Sequence, residues 1–447
     1  MSQKFAAVKG MNDLLPPRIE TWQRLEHIAR ELSACYGFSE VRTPIVEDTA
    51  LFVRSVGEIT DIVKKEMYTF DDKGGRSITM RPEGTAPAVR AYIEHGVAST
   101  EPLTRWFYLG PMFRYERMKT GRYRQFYQLG AEVYGSADPS TDVEIISLGA
   151  RYLEAIGVPD VVLRLNSLGD ASTRPTYLAK LKAYFEPMAG SFSEEARQTL
   201  ERNPMRLLDS KEPALAEAIA QAPAIIDFID DASKAHFEVV QRMLTKLGIP
   251  FEIDRRLVRG LDYYTRTTFE FVYQPKSGDS ALGTAGSVCG GGRYDALVKE
   301  LGGPDRPAVG FAMGMDRLVI LLEAAQAARA SGPVLFIGTF DGPQKDEAVA
   351  LVMRLRNQGL KVDYDPRGGK LGRQIDRADK VGARYFVALG QTELETGRLK
   401  LKNLQLPKST PDNDPTKTVE LTLDGLPAWL RQIAEGPKVE TAPQEPK

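Results

Sequence analysis

Residues 112–135 read MFRYERMKTGRYRQFYQLGAEVYG, two runs of strand-like alternation on either side of a basic loop. Successive side chains of a strand point to opposite faces. In FRYE that rule sets Arg114 and Glu116 on one face and Phe113 and Tyr115 on the other. On the returning run Phe126, Gln128, Gly130 and Glu132 share a face, and Tyr127, Leu129, Ala131 and Val133 share the opposite one. One face is apolar and the other chemical. An antiparallel sheet can leave a polar face to water, so a wet outer face is the plain alternative. A Phe set beside a Gln and a Glu argues instead for a ligand surface. Residues 105–124 hold Arg105, Arg114, Arg117, Lys119, Arg122 and Arg124 against one acid, Glu116, in a chain whose 59 Lys+Arg nearly balance 60 Asp+Glu. A concentration of cations in a neutral chain predicts a local anion site, suited to a triphosphate or the end of a nucleic acid.

Working outward, strand patterns recur at RSITM, RWFYLG, VVLRLNS and FEIDRRLVRGLDYYTRTTFEFVY, which predicts a mostly antiparallel sheet. Ahead of it, Leu25, Ile28, Ala29, Leu32 and Tyr36 follow a helical rhythm from Pro17 to Gly37. The FSEVRTPIVED segment follows as an edge or bulged strand because Pro44 cannot donate to a ladder. Between about 170 and 250 the chain turns to Ala, Leu, Glu and Lys at helical spacing, a helical insertion inside one α+β domain spanning 1–325. From 333 to 430, VLFIGTF, KVDYD and RYFVALG alternate with helical stretches, which predicts a small α/β domain. The polar, Pro-rich tail 436–447 is expected to stay disordered.

Several residues stand out against this frame. In RPEGTAPAV a strand gives way to a helix, with Thr85 expected as N-cap and Pro87 in the first turn. Capping leaves Glu83 unexplained, and an acid on that turn suits a cationic ammonium group. In GFAMGMDRL, Arg317 falls in a helix's first turn, where a cation opposes the macrodipole and a bound anion would be favoured. In VRGLDYYTRTTFEF, Arg259, Tyr263 and Tyr264 stand at a strand entrance. The run CGGGRYD sets glycines where a backbone comes close to a neighbour or ligand, next to Tyr294.

Hydrophobic residues make up 42% of the 447, enough for the cores of roughly three units of about 150 residues. Two cysteines, Cys35 and Cys289, and three histidines, His27, His95 and His236, have no metal-ligand spacing, so no structural metal is expected. With no apolar signal core or membrane-length run, the expected location is the cytoplasm.

FRYERMKTGRYRQFYQLGAEVYG resembles the second signature motif of class II aminoacyl-tRNA synthetases, GFAMGMDRL the third, and the segment ending RTPIVE the first. LVRGLDYYTRTTFEF and CGGGRYDAL resemble the two motifs peculiar to the histidyl-tRNA synthetase family. The resemblance covers about residues 10–433. It implies a class II catalytic core and an anticodon-binding domain, a homodimer, and ATP with Mg2+ used to join L-histidine to its tRNA through a histidyl-adenylate. It implies that Arg114, Arg122 and Arg317 bind ATP, with Glu116 at the adenine amino group and Phe126 beneath the ring. Glu83, Gly84, Thr85, Gln128, Glu132, Tyr263, Tyr264 and Tyr294 would surround histidine. Arg114 and Arg259 would be catalytic and also touch the amino acid, Arg259 at the α-phosphate. Where bacterial members commonly have Pro-Gln, this loop has Met118 and Lys119, and it is expected to touch the tRNA acceptor end. A non-catalytic paralogue regulating histidine biosynthesis is the alternative; such regulators lack the C-terminal domain.

Overall fold

A computed structural model describes residues 5–57, 60, 62–170, 172–210, 212–258, 263–275, 282, 286–325, 332–407, 409–411 and 413–435. The expected tail and Arg259 fall outside these residues. The chain divides into two compact units, Met1–Ala328 and Arg329–Lys447.

In the first unit the strands are β1 (Ser39–Glu40), β2 (Val46–Asp48), β3 (Tyr68–Asp71), β4 (Ser77–Met80), β5 (Thr104–Phe113), β6 (Gln125–Tyr134), β7 (Val161–Ser167), β8 (Glu252–Ile253), β9 (Thr265–Tyr273), β10 (Gly286–Arg293) and β11 (Ala308–Gly314). Among the described residues, eight of them form one sheet in the order β1-β5-β6-β11-β10-β9-β7-β8, antiparallel except at its two outermost pairs. A separate small sheet has the order β2-β4-β3. The segment expected as one strand is therefore two, in different sheets. Pro44, which has no N–H to give, stands in the break.

The apolar face of the hairpin is buried as the alternation requires. Leu129, Ala131 and Val133 join Phe269, Phe271, Val309 and Phe311 in the main core. Over that face lie the helices Arg18–Cys35, burying Trp22, Leu25 and Ala29, and Pro139–Ile156, burying Ile145, Ile146, Leu153 and Ile156. Each buried Leu, Ile or Phe contributes roughly 1.5–3 kcal/mol. Helices Thr173–Phe185, Glu194–Arg202 and Ala216–Gln221 enclose their own small core of Tyr177, Leu181, Phe185, Leu200 and Leu215. Helix Asp231–Lys246, expected as part of the insertion, packs instead on the main core through Phe237, Val240 and Leu244, which recur at helical spacing on one face.

The second unit contains β12 (Leu335–Thr339), β13 (Val362–Tyr364), β14 (Tyr385–Leu389), β15 (Arg398–Asn403) and β16 (Thr418–Thr422), ordered β13-β12-β14-β15-β16. The first three pair in parallel, and β15 and β16 add an antiparallel edge. Leu335, Ile337, Val352, Leu355, Val387 and Leu401 form a core drawn only from this unit. Among the described residues no helix is long and apolar enough to cross a membrane, and no group of three or more His, Cys, Asp or Glu side chains could hold a metal ion.

Candidate active site

The chemical face of the hairpin borders a cleft of about 1060 Å³ in the first unit. Glu83, Thr85, Arg114, Glu116, Arg122, Phe126, Gln128, Tyr263, Tyr264 and Arg317 all line it, although they come from segments up to 234 positions apart. β6 supplies Phe126 and Gln128, and β11 hands the chain to helix Met315–Ala324, which carries Arg317. The ladder itself stops at Phe113, so Arg114 and Glu116, read as strand residues, belong to the loop. There the Arg114 N–H bonds Arg124 O, while the Tyr115 N–H turns away to Glu66 O.

The cationic end of the cleft is built from few of the six cations. Arg114 donates from Nε to Pro82 O at 2.8 Å, and its guanidinium sits 5.3 Å from the Phe126 ring centroid. Arg122 pairs with Glu116 at 3.0 Å. Arg317 donates to Gly121 O at 3.4 Å and to Ser287 O. Burial and then the Arg122 charge hold Arg317 below the usual arginine range. Arg105 takes no part in this cluster, since it pairs with Glu144 on helix Pro139–Ile156 at 2.9 Å. Arg124 lies over the Tyr115 ring at 3.7 Å. A buried guanidinium with a second one beside it inside a cleft favours an anion there.

At the other end the expected cap is reversed. Glu83, not Thr85, caps helix Thr85–Glu94, its carboxylate accepting the N–H groups of Thr85 at 2.7 Å and Ala86 at 2.8 Å. A carboxylate fits there because it meets two orphan donors and the positive end of the helix dipole. The Thr85 hydroxyl is thereby released to donate to Glu132 Oε1 at 2.8 Å. Burial raises the Glu83 carboxyl above its ordinary range despite these bonds.

Glu132 and Tyr294 lie one layer beneath the cleft, both buried. Glu132 accepts from Tyr294 at 2.5 Å, Thr85 at 2.8 Å and Tyr108 at 3.1 Å. Burial pushes it up to about 8, against the hydroxyls of Tyr294 and Thr85 that favour its anion. Tyr263 packs at 4.7 Å from Tyr264 and at 5.6 Å from Tyr294. Gln128 is buried, and among the described residues its Oε1 has no hydrogen-bond partner, an acceptor at the cleft wall.

Tyr108 is the member of this layer that sequence reasoning missed. Its signal was in the glycines: Gly130 stands opposite it in the β5–β6 register, and a Cβ at Gly130 or at Gly84 would overlap the Tyr108 ring. Gly310, opposite Glu132 on β11, likewise leaves the space that the Glu132 carboxyl occupies. Also missed were Lys64 and Lys65, and the insertion residues Gln198 and Arg202, which line the same cleft.

Comparison with known proteins matches most of the chain. A family model described as histidyl-tRNA synthetase matches residues 10–173 and 177–318, and one described as an anticodon binding domain matches 334–433. A protein of Anaeromyxobacter dehalogenans named histidine–tRNA ligase is 48% identical over 409 residues, covering 91% of this chain and 97% of its own. One of the same name from Synechococcus elongatus is 48% identical over 399 residues, covering 89% and 90%. Among solved structures, the apo histidyl-tRNA synthetase of S. aureus superposes with a TM-score of 0.75 at 36% identity, covering 96% of this chain and 100% of that one. The chain belongs to the histidyl-tRNA synthetase family.

Proposed function

We propose that this protein is a histidine–tRNA ligase: it activates L-histidine with ATP and transfers the histidyl group to the tRNA specific for histidine. The observation that carries the reading is one cleft that holds the guanidiniums of Arg114, Arg122 and Arg317 and, beyond Arg114, the carboxylate, hydroxyl and amide of Glu83, Thr85 and Gln128. A substrate joining an amino acid to a triphosphate needs that polarity. In the first step a histidine carboxylate oxygen attacks the ATP α-phosphorus, the bond to the bridging oxygen breaks, and diphosphate leaves. In the second the terminal ribose hydroxyl of the tRNA attacks the adenylate carbonyl, and AMP leaves.

Catalysis of this kind is positioning and electrostatic stabilisation. Arg114 and Arg317 hold phosphates, Phe126 underlies the adenine ring and Glu116 receives its amino group. ATP enters as its magnesium complex, a substrate. Glu83 and Thr85 receive the ammonium group, and Gln128, Tyr263 and Tyr264 enclose the side chain above Glu132 and Tyr294. Rejection of apolar analogues follows from leaving buried polar groups unpaired, worth about 10⁴–10⁵ in discrimination. Arg259 is assigned to the α-phosphate by its sequence motif. The second unit reads the anticodon, the protein works in the cytoplasm, and a homodimer forms through helix Arg18–Cys35 and the edge strand β1.

The test is ATP–pyrophosphate exchange with each amino acid singly. Exchange dependent on histidine alone is expected. No exchange with any amino acid would favour a non-catalytic regulatory paralogue, and exchange with another amino acid would reassign the pocket.

A further inference from the structure

Behind the tyrosine layer lies a group of buried charges that the reaction does not use. Arg293, the last residue of β10, is fully buried and every nitrogen of its guanidinium has an acceptor. Nε and Nη2 meet Asp142 at 3.0 and 2.5 Å, and Nη2 also donates to Thr141 Oγ1 at 2.8 Å. Nη1 donates to Ser136 O at 2.9 Å and to Asp295 Oδ1 at 3.1 Å. His236, on helix Asp231–Lys246, lies 3.2 Å from the second oxygen of Asp142. One side chain thus ties the end of β10 to the chain leaving β6, to the first turn of helix Pro139–Ile156 and, through Asp142, to a second helix.

The next residue is Tyr294. Its N–H bonds Ala308 O at 2.8 Å, its hydroxyl donates to the Glu132 carboxyl that lies over Gly310 of β11, and its ring backs Tyr263 in the cleft wall. A residue anchored through its neighbour in this way reaches the cleft by two routes. A buried ion pair is seldom the most stable filling for its space, and apolar residues of similar volume often stabilise as well or better. What a planar guanidinium adds is fixed direction.

We propose that the Asp142–Arg293 pair, completed by His236, is a positioning device for the amino-acid half of the site: it sets Tyr294 so that Glu132 and Tyr263 are held in the geometry that accepts the histidine side chain. This rests on the reading of that half of the cleft as the histidine pocket.

Two variants test it, Asp142→Asn and the double replacement Asp142→Leu with Arg293→Met. The second removes both charges together, so that folding survives if the first leaves a buried guanidinium uncompensated. Both are assayed by pyrophosphate exchange and thermal unfolding, beside Tyr294→Phe. The expected result is a KM for histidine raised roughly ten-fold, as loss of one well-aligned charged hydrogen bond would give, with the KM for ATP within about two-fold of the parent. In the double variant this split should persist, whatever stability is lost because Asp295 also loses its partner. Equal rises in both KM values, or lowered stability with both KM values unchanged, overturns the proposal and leaves the pair a structural tie. Tyr294→Phe separates the premises. If it raises the KM for histidine while the charge variants are silent, the positioning role falls and the pocket stands. If it is silent too, the Tyr294–Glu132 contact has no part in histidine binding and the positioning role falls, while the pocket reading falls only if exchange in the parent does not depend on histidine.

Discussion

At the scale of single residues, the most consequential feature is a carboxyl group surrounded by hydroxyls rather than cations. Glu132 has Tyr294, Thr85 and Tyr108 as donors, and burial still holds it near 8. Because the folded value lies above the ordinary 4.5, its contribution to stability is complete below about 4.5 and is lost as pH rises through about 8. The loss amounts to at most about 1.4 kcal/mol for each pH unit in that window. Glu132→Gln cannot ionise, so its unfolding free energy relative to the parent should improve steadily as pH rises from about 5 to about 8 and then level off. Denaturant titrations at several pH values measure it, and a gap independent of pH would place the raised carboxyl elsewhere. The alternation in QFYQLGAEVY was enough to group Gln128 with Glu132, but not to find Tyr108, because a tyrosine in a strand reads as core until the glycines facing it are known.

At the scale of elements, the start of helix Thr85–Glu94 is the instructive case. A Thr before a helical run reads as an N-cap, yet here Glu83 reaches over Gly84 to the two leading N–H groups and leaves the hydroxyl for Glu132. A five-atom side chain can cap from one residue further back, which residue preferences do not anticipate. Glu83→Ala is expected to destabilise the protein by about 1–2 kcal/mol, the range for losing a cap, and to raise the KM for histidine. Thermal unfolding and exchange kinetics read the two effects separately. An unchanged melting temperature would mean that the cap is replaced by solvent. The strand around Pro44 and the early end of β5 at Phe113 carry the same lesson: period-2 alternation continues through residues whose backbone has already left the ladder.

At the scale of the whole molecule, the two units have separate cores, so removal of the second should leave the first folded. Between Lys361 and Arg384 seven Lys/Arg face four Asp/Glu, a net charge of +3 beside the near-neutral whole. Part of that charge is committed internally: Arg367 grips Asp365 at 2.7 Å and holds it down to about 2. The remainder suits a single-stranded nucleic acid. A chain ending at residue 332 is expected to keep most pyrophosphate exchange and lose most tRNA charging, and equal losses in the two assays would make the second unit a purely structural support. Sequence alone was sufficient for the α+β core and the α/β unit, because alternation and helical rhythm are local properties of a chain, and its resemblance to the synthetase motifs named ten residues that line the cleft. Tertiary structure alone decided which cations share the cleft, that Asp231–Lys246 belongs to the main core, and that Arg293 and Asp142 meet behind Tyr294. Those outcomes depend on which faces pack together and how much water they exclude, and neither is written in the spacing of residues along one strand or helix.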